Sequence, residues 1–317
     1  MMEFKPFGWQ GLEFLIPSDW HTASEGGTFE SGSLRIDEPY APRIRLDWET
    51  IKEDKLKDFD QVLEDIKKKM RKKDKSLRFQ RQGRAKICGH NARYFRWRSA
   101  NQLEGYGLLW YCKDTKRSIV VEFLFGSDEY WKIKPAMEKA VETFQCHGSE
   151  EARLWTILDL TFKTTPDFKL RDRSFKENRM HFFFSSSSDK ASFMIDRVTF
   201  AENILSTKYN GLEDWFEKVY KPELKRTYKG LRLRGERLRK AQIWGHDGLM
   251  LRSSFKIGLI RPENHIVTSK VWVCPVKDRI YAVTTEDVRR KKEDKDKDKK
   301  DKVNKGLELF LSSFSCH

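Results

Sequence analysis

The sequence predicts an α+β fold built twice: two tandem repeats, each a mostly antiparallel β-sheet of six or seven strands flanked by helices. Three observations carry that expectation. First, Ile87-Cys88-Gly89-His90, Trp110-Tyr111-Cys112 and Phe144-Gln145-Cys146-His147 return in the same order as Ile243-Trp244-Gly245-His246, Trp272-Val273-Cys274 and Phe314-Ser315-Cys316-His317. Second, short runs of period-two hydrophobicity outnumber the stretches of helical period in both copies. Third, the order in each copy is strands, helix, four strands, helix, which is not the strict β-α alternation of a parallel sheet.

In the first repeat a strand is expected over residues 11–16, broken by Pro17-Ser18-Asp19-Trp20. Two more follow at 32–36 and 43–49, the latter alternating Ile44, Leu46 and Trp48 with Arg43, Arg45 and Asp47. Residues 57–73 form a helix whose stripe is Phe59, Val62, Leu63, Ile66 and Met70. Strands come next at 77–85, 92–98, 106–112 and 118–125, then a helix over 129–144 with Ile133, Met137 and Val141 inward. The second repeat has strands at 158–162, 180–186 and 192–200, and a helix over 211–228 that Pro222 is expected to kink. Strands at 231–241, 249–257, 269–276 and 279–285 and a helix over 303–314 complete it. The domains are therefore 1–148 and 153–317, joined by a polar linker at 149–152. The Cys274-to-Cys316 spacing exceeds the Cys112-to-Cys146 spacing, and the excess coincides with a Lys/Asp run, so residues 289–302 are a charged insertion. Asp294, Asp296 and Asp298 resemble the start of a calcium loop, but Lys299 and Lys305 stand where its glycine and glutamate belong.

The opening Phe14-x-x-Pro17-x-x-Trp20, followed by this order of elements, resembles the PsbP/Mog-type superfamily. In the second copy Phe168 stands in place of the tryptophan. The resemblance implies a central antiparallel sheet between helices and a non-catalytic docking role.

The chain has 317 residues, enough for two cores. Its 35% charged fraction is high, yet 22 Phe, 10 Trp and 9 Tyr supply the apolar bulk that a disordered chain lacks. The enrichment in Lys, Arg and Glu is thermophile-like. No apolar run is long enough to span a bilayer and no secretory h-region opens the chain, so a cytoplasmic location is expected.

A net charge of +15 points to an anionic partner. Candidate anion-binding residues gather at the helix-to-strand corner of each repeat. In the first these are Lys68, Lys69, Arg71, Lys72, Arg78, Arg81 and Arg84; in the second, Lys225, Arg226, Arg232, Arg234, Arg237 and Lys240. Simple alternation puts Arg78 and Arg84 on one face, and likewise Arg234 and Lys240. The leading expectation is a non-enzymatic protein docking on RNA or a ribonucleoprotein such as the ribosome; the alternative is an adaptor for an acidic protein. A cationic edge strand that merely discourages aggregation is a third reading. No small-molecule substrate is evident.

Five cysteines are present, four of them at corresponding positions. One disulfide per repeat, Cys112–Cys146 and Cys274–Cys316, is the favoured reading; closing such a loop contributes about 3–4 kcal/mol. A zinc site of two Cys and one or two His per repeat is a second, disfavoured because Cys146 and His147 are adjacent and no C-x2-C pair occurs. Buried free thiols are the third. No metal or cofactor is assigned. Catalysis is not expected: Cys112 and His90 lack oxyanion-hole glycines beside them, and no nucleotide-binding or metalloprotease motif occurs.

Overall fold

The structure is a computed structural model describing every residue except Met1, Glu150, Asp189, 229–230, Arg232, 234–235, 259–262, 291–303 and His317. The greater part of the charged insertion, together with Arg232 and Arg234, therefore lies outside the described residues. The chain divides into two compact units, Met1–Leu158 and Asp159–His317.

The first unit opens with a hairpin of β1 (Phe4–Trp9) and β2 (Leu12–Pro17). Strands β3 (His21–Gly27), β4 (Ser31–Glu38) and β5 (Ala41–Thr50) precede helix α1 (Phe59–Lys73). Then come β6 (Arg78–Ile87), β7 (His90–Arg98), β8 (Leu103–Cys112), β9 (Arg117–Gly126) and helix α2 (Tyr130–Thr143). A last strand, β10 (Arg153–Ile157), returns to β1: the Gly8 amide donates to Thr156 Oγ1, and Trp9 meets Trp155 edge-on.

The second unit repeats the plan with β11 (Leu160–Thr164), β12 (Phe168–Lys176), β13 (Arg179–Ser186) and β14 (Ala191–Thr199). Its helical segment is α3 (Ala201–Thr207), α4 (Gly211–Trp215), a π-turn at Phe216–Tyr220 and α5 (Lys221–Thr227). The helix continues through Tyr220 and Lys221, and the π-turn occupies the residues just before Pro222, where the proline ring crowds the preceding turn, so the distortion expected of Pro222 is observed as this π-turn. Strands β15 (Arg239–Ile243), β16 (His246–Ile257), β17 (Glu263–Cys274) and β18 (Arg279–Arg290) and helix α6 (Lys305–Ser313) follow.

Both units contain an antiparallel seven-stranded sheet of one topology, β3-β4-β5-β9-β8-β7-β6 and β12-β13-β14-β18-β17-β16-β15. The tandem α+β architecture read from the sequence is observed. Strands missed in the sequence are β1, β3, β10 and β12, none of which shows a clean apolar alternation; β3, for example, reads His-Thr-Ala-Ser-Glu-Gly-Gly, and the short helix α3 is likewise missed. In β5, Ile44, Leu46 and Trp48 are buried as expected, but Arg43 is buried too, held by Glu38 and Glu129.

One aromatic triad anchors each C-terminal segment. Phe144 stacks on Phe14 with ring centres 5.0 Å apart and meets Trp110 edge-on at 5.1 Å. In the second unit Phe314 takes the same place between Phe162 and Trp272. Trp110 and Trp272 are fully buried, core residues as expected.

A cysteine–histidine corner and a cationic face as candidate functional sites

The strongest chemical constellation lies at one end of each sheet. Sheet register builds it. Ala92 pairs with Trp110 across β7 and β8, so the next position on the same face sets His90 opposite Cys112. In the second unit Gly248 pairs with Trp272, and the same step sets His246 opposite Cys274. The hairpin before each histidine needs two consecutive residues at positive φ: Cys88 (40°) and Gly89 (80°), then Trp244 (46°) and Gly245 (82°). The glycines mark turns, as expected.

The third element is the chain leaving the last helix. After α2 it turns extended at Phe144, and Gln145 forms a backbone bridge to Glu13 on β2. Ser315 does the same to Thr161 on β11. Each bridge delivers the next residue, Cys146 or Cys316, to the His–Cys pair. In the first unit the ligand atoms of His90, Cys112, Cys146 and His147 all lie within 4.8 Å of one another, as do those of His246, Cys274 and Cys316 in the second. His317 lies outside the described residues.

Among the described residues no cysteine is in a disulfide, so the expected Cys112–Cys146 and Cys274–Cys316 bridges are not formed. The objection that Cys146 and His147 are adjacent also fails. Past the helix the chain bends, and His147 Nδ1, the ring nitrogen nearer the backbone, lies 3.4 Å from both Cys112 Sγ and Cys146 Sγ. The histidines are likewise not incidental to their turns, since His246 Nε2 lies 3.5 Å from Cys316 Sγ.

Both sulfurs of the first corner are fully buried. Sharing a hydrogen bond with Cys146, together with burial, pushes the Cys112 thiol up to about 12. Cys146 is lowered by Cys112, but its bond with Cys88 and burial outweigh that and bring it to about 11. Burial and the neighbouring Cys274 raise Cys316 to about 11. These are protonated thiols at neutral pH, the opposite of an activated nucleophile.

Arg117, fully buried, underlies the first corner. It donates to the carbonyls of Gln10 (2.9 Å) and Cys146 (2.6 Å) and stacks on Phe29, and burial lowers its pKa to about 10. Bonding carbonyls is the role expected of it; Arg279 does so more modestly, to Asp278 O.

The cationic residues form a different surface, along the β6 edge. Lys68, Lys69, Arg71 and Lys72 are exposed on α1, with Arg71 over the Phe79 ring at 5.3 Å. Arg78, Arg81 and Arg84 are exposed on β6, but not as alternation implies. A bulge between Phe79 and Arg81 pairs Arg78 with Arg98, Arg81 with Arg96 and Arg84 with Arg93. The extra residue, Gln80, shifts the phase, so Arg78 shares a face with Arg81 while Arg84 joins the α1 side, where Arg93 bonds Asp60. The Arg78–Arg81 face also carries Tyr94 stacked on Tyr106 at 6.0 Å and Arg96 over Tyr130 at 5.1 Å. Among the described residues no ion pair joins Arg78 or Arg81, while Glu104 is shared by Arg96 and Arg98.

Of the second repeat's expected ridge, Lys225, Arg226, Arg237 and Lys240 are among the described residues. Of the strand expected over 231–241, Arg239–Ile243 is observed as β15, while Leu231 and Leu233 are buried with Tyr228 in the core beneath the helical segment. Arg237 and Lys240 are exposed at that edge, Lys225 and Arg226 on α5, and Arg226 is paired with Glu223.

An open groove of about 700 Å³ between α1 and the sheet includes Asp47, Trp48, Ile66 and Lys69. Burial raises Asp47, and it raises Glu122 despite the bond Glu122 accepts from Trp97, but no nucleophile–base pair converges there.

No protein-family model matches the chain, and no curated protein matches it. Solved structures similar to it include cyanobacterial PsbP (CyanoP) from Synechocystis sp. PCC 6803, at 12% identity over 46% of this chain and 93% of that one, TM-score 0.37. Others are the T6SS immunity protein TplEi of Pseudomonas aeruginosa (10% identity, 99% and 96% covered, TM-score 0.30) and the Tle4-Tli4 complex (11%, 99% and 97%, 0.32). What the structure itself bears out is the tandem α+β plan of two seven-stranded sheets, and no site residue is taken from these structures.

Proposed function

We propose that the chain is a non-enzymatic docking protein whose first unit engages an acidic protein partner through the arginine- and tyrosine-bearing face of β6, β7 and β8. The observation that carries this reading is the composition of that face. Arg78, Arg81, Arg96 and Arg98 lie beside Tyr94, Tyr106 and Tyr130, and Trp131 nearby is 75% exposed. Arginine, tyrosine and tryptophan are the residues that dominate binding energy at protein interfaces. Two unpaired guanidiniums, Arg78 and Arg81, supply the charge that an acidic surface answers.

The test is retention of the chain's partner from a native extract, with and without nuclease, by the wild type and by R78E/R81E. Nuclease-resistant retention that the double reversal reduces at least tenfold supports the reading. Retention indifferent to the reversal refutes it.

RNA is the second reading, favoured by the exposed row Lys68, Lys69 and Lys72 on α1. It requires binding that falls steeply with salt and disappears on nuclease treatment.

A further inference from the structure

We propose that the two cysteine–histidine corners are zinc sites: a four-ligand site of His90, Cys112, Cys146 and His147, and a second formed by His246, Cys274 and Cys316. The spacing is the first argument. Zinc bonds of about 2.3 Å to sulfur and about 2.0–2.1 Å to nitrogen in a tetrahedron put S and N about 3.5–3.6 Å apart. The observed S-to-N separations are 3.4 Å for Cys112–His147, 3.4 Å for Cys146–His147 and 3.5 Å for Cys316–His246. These are edges of a tetrahedron sized for zinc, found independently in both units.

The surroundings supply the second argument. His90 Nε2 is buried and has no hydrogen-bond partner, an arrangement that costs free energy unless a metal or another group satisfies the lone pair. His147 offers Nδ1 to both sulfurs, and its other nitrogen faces Asp114 Oδ2 at 3.7 Å. A carboxylate behind the imidazole is the usual outer support of a zinc-bound histidine. Two thiolates and neutral imidazoles are also the donor set that selects zinc over harder cations.

Binding displaces one proton from each thiol and forms two Zn–S and up to two Zn–N bonds, with no change of oxidation state. Two thiolates balance the 2+ charge, so the first site is neutral and closed to substrate. Its role is structural: it clamps the segment after α2 to the ends of β7 and β8, the task that a disulfide would otherwise perform. Cys88 is close to Cys146, but its counterpart is Trp244, so Cys88 is not a ligand.

The test is metal analysis and Co²⁺ titration of the reduced, full-length chain. The expected result is two zinc ions per chain after dialysis. Cobalt should give thiolate charge-transfer and intense tetrahedral d–d bands that saturate at two equivalents and are bleached by zinc. C112S and C274S should each remove one equivalent, while C88S keeps both. Should the serine variants not fold, H90A, which leaves both sulfurs in place, should still weaken zinc retention in the first unit at least tenfold against a chromophoric chelator. Absence of stoichiometric zinc, weak octahedral-type cobalt bands, or an intact mass showing oxidised cysteine pairs in the native protein would each overturn the proposal.

Discussion

The two halves share a sheet order yet differ in what covers the sheet. In the first, α1 is a single helix of 15 residues over a small cluster of Leu63, Leu77, Phe95, Trp97 and Leu124. In the second, the covering segment is broken by a π-turn and sinks Trp215, Phe216, Tyr220, Leu224 and Tyr228 into a much larger core. Tyr220 shares a hydrogen bond of 2.8 Å with Thr284, and burial drives the Tyr220 and Tyr228 hydroxyls far above their usual range. The helix could diverge because any apolar stripe of suitable volume covers a sheet. The corner at the other end could not: His, Cys, aromatic triad and C-terminal Cys recur in both. The comparison teaches that the repeat is held to its plan by a chemical constellation, and only loosely by its core.

The sharpest way to break that comparison is to truncate its shared anchor. Trp110→Ala and Trp272→Ala should each cost about 3–5 kcal/mol in their own unit, measured by calorimetry of the two unfolding transitions. Clearly unequal costs would mean that the triads are not equivalent. Next in size is the arginine behind the corner. Arg117→Met strands the carbonyls of Gln10 and Cys146 and should cost about 2–4 kcal/mol, whereas Arg279→Met should cost under about 1. Denaturant melts of the two variants decide whether the halves differ here as their hydrogen bonds do.

Acid should separate the halves further. Hydrogen bonds from Arg43, then from the Gly126 amide, hold Glu129 down at about 2. A depressed carboxylate contributes stability that is fully present above its unfolded value and lost as pH falls toward 2. The first unit should therefore lose stability between about pH 4.5 and pH 2, and Glu129→Gln should flatten that slope in a pH series of thermal melts. The smallest effect is expected at Cys88→Ala: it removes a half-buried thiol where the other half carries Trp244, and should change stability by less than about 1 kcal/mol. A loss as large as that of C112S would instead place Cys88 among the residues on which the corner depends.

Much of this was legible in the sequence. Trp-x-Cys, Gly-His and Phe-x-Cys each recur, and the helix stripe of α1 and the alternation of β5 are read directly. What escaped depended on tertiary context. β3 and β12 are exposed enough that no apolar pattern betrays them, and Leu231 and Leu233 read as strand until the core beneath the helical segment claims them. The proximity of His147 to its neighbour's sulfur follows from a bend after α2 that no spacing rule encodes. Arg43 looked solvent-facing because the carboxylates that bury it, Glu38 and Glu129, come from other parts of the chain.

The bulge at Gln80 has an evolutionary consequence. The ladder keeps its register on both sides of it, with Arg78 opposite Arg98, Arg81 opposite Arg96 and Arg84 opposite Arg93, so the extra residue is absorbed locally. Loss of that one codon would close the bulge and leave every arginine of the edge on its present face. The strand thus tolerates a change of length at this point, while its charge pattern and the cysteine–histidine corner at its far end keep their places.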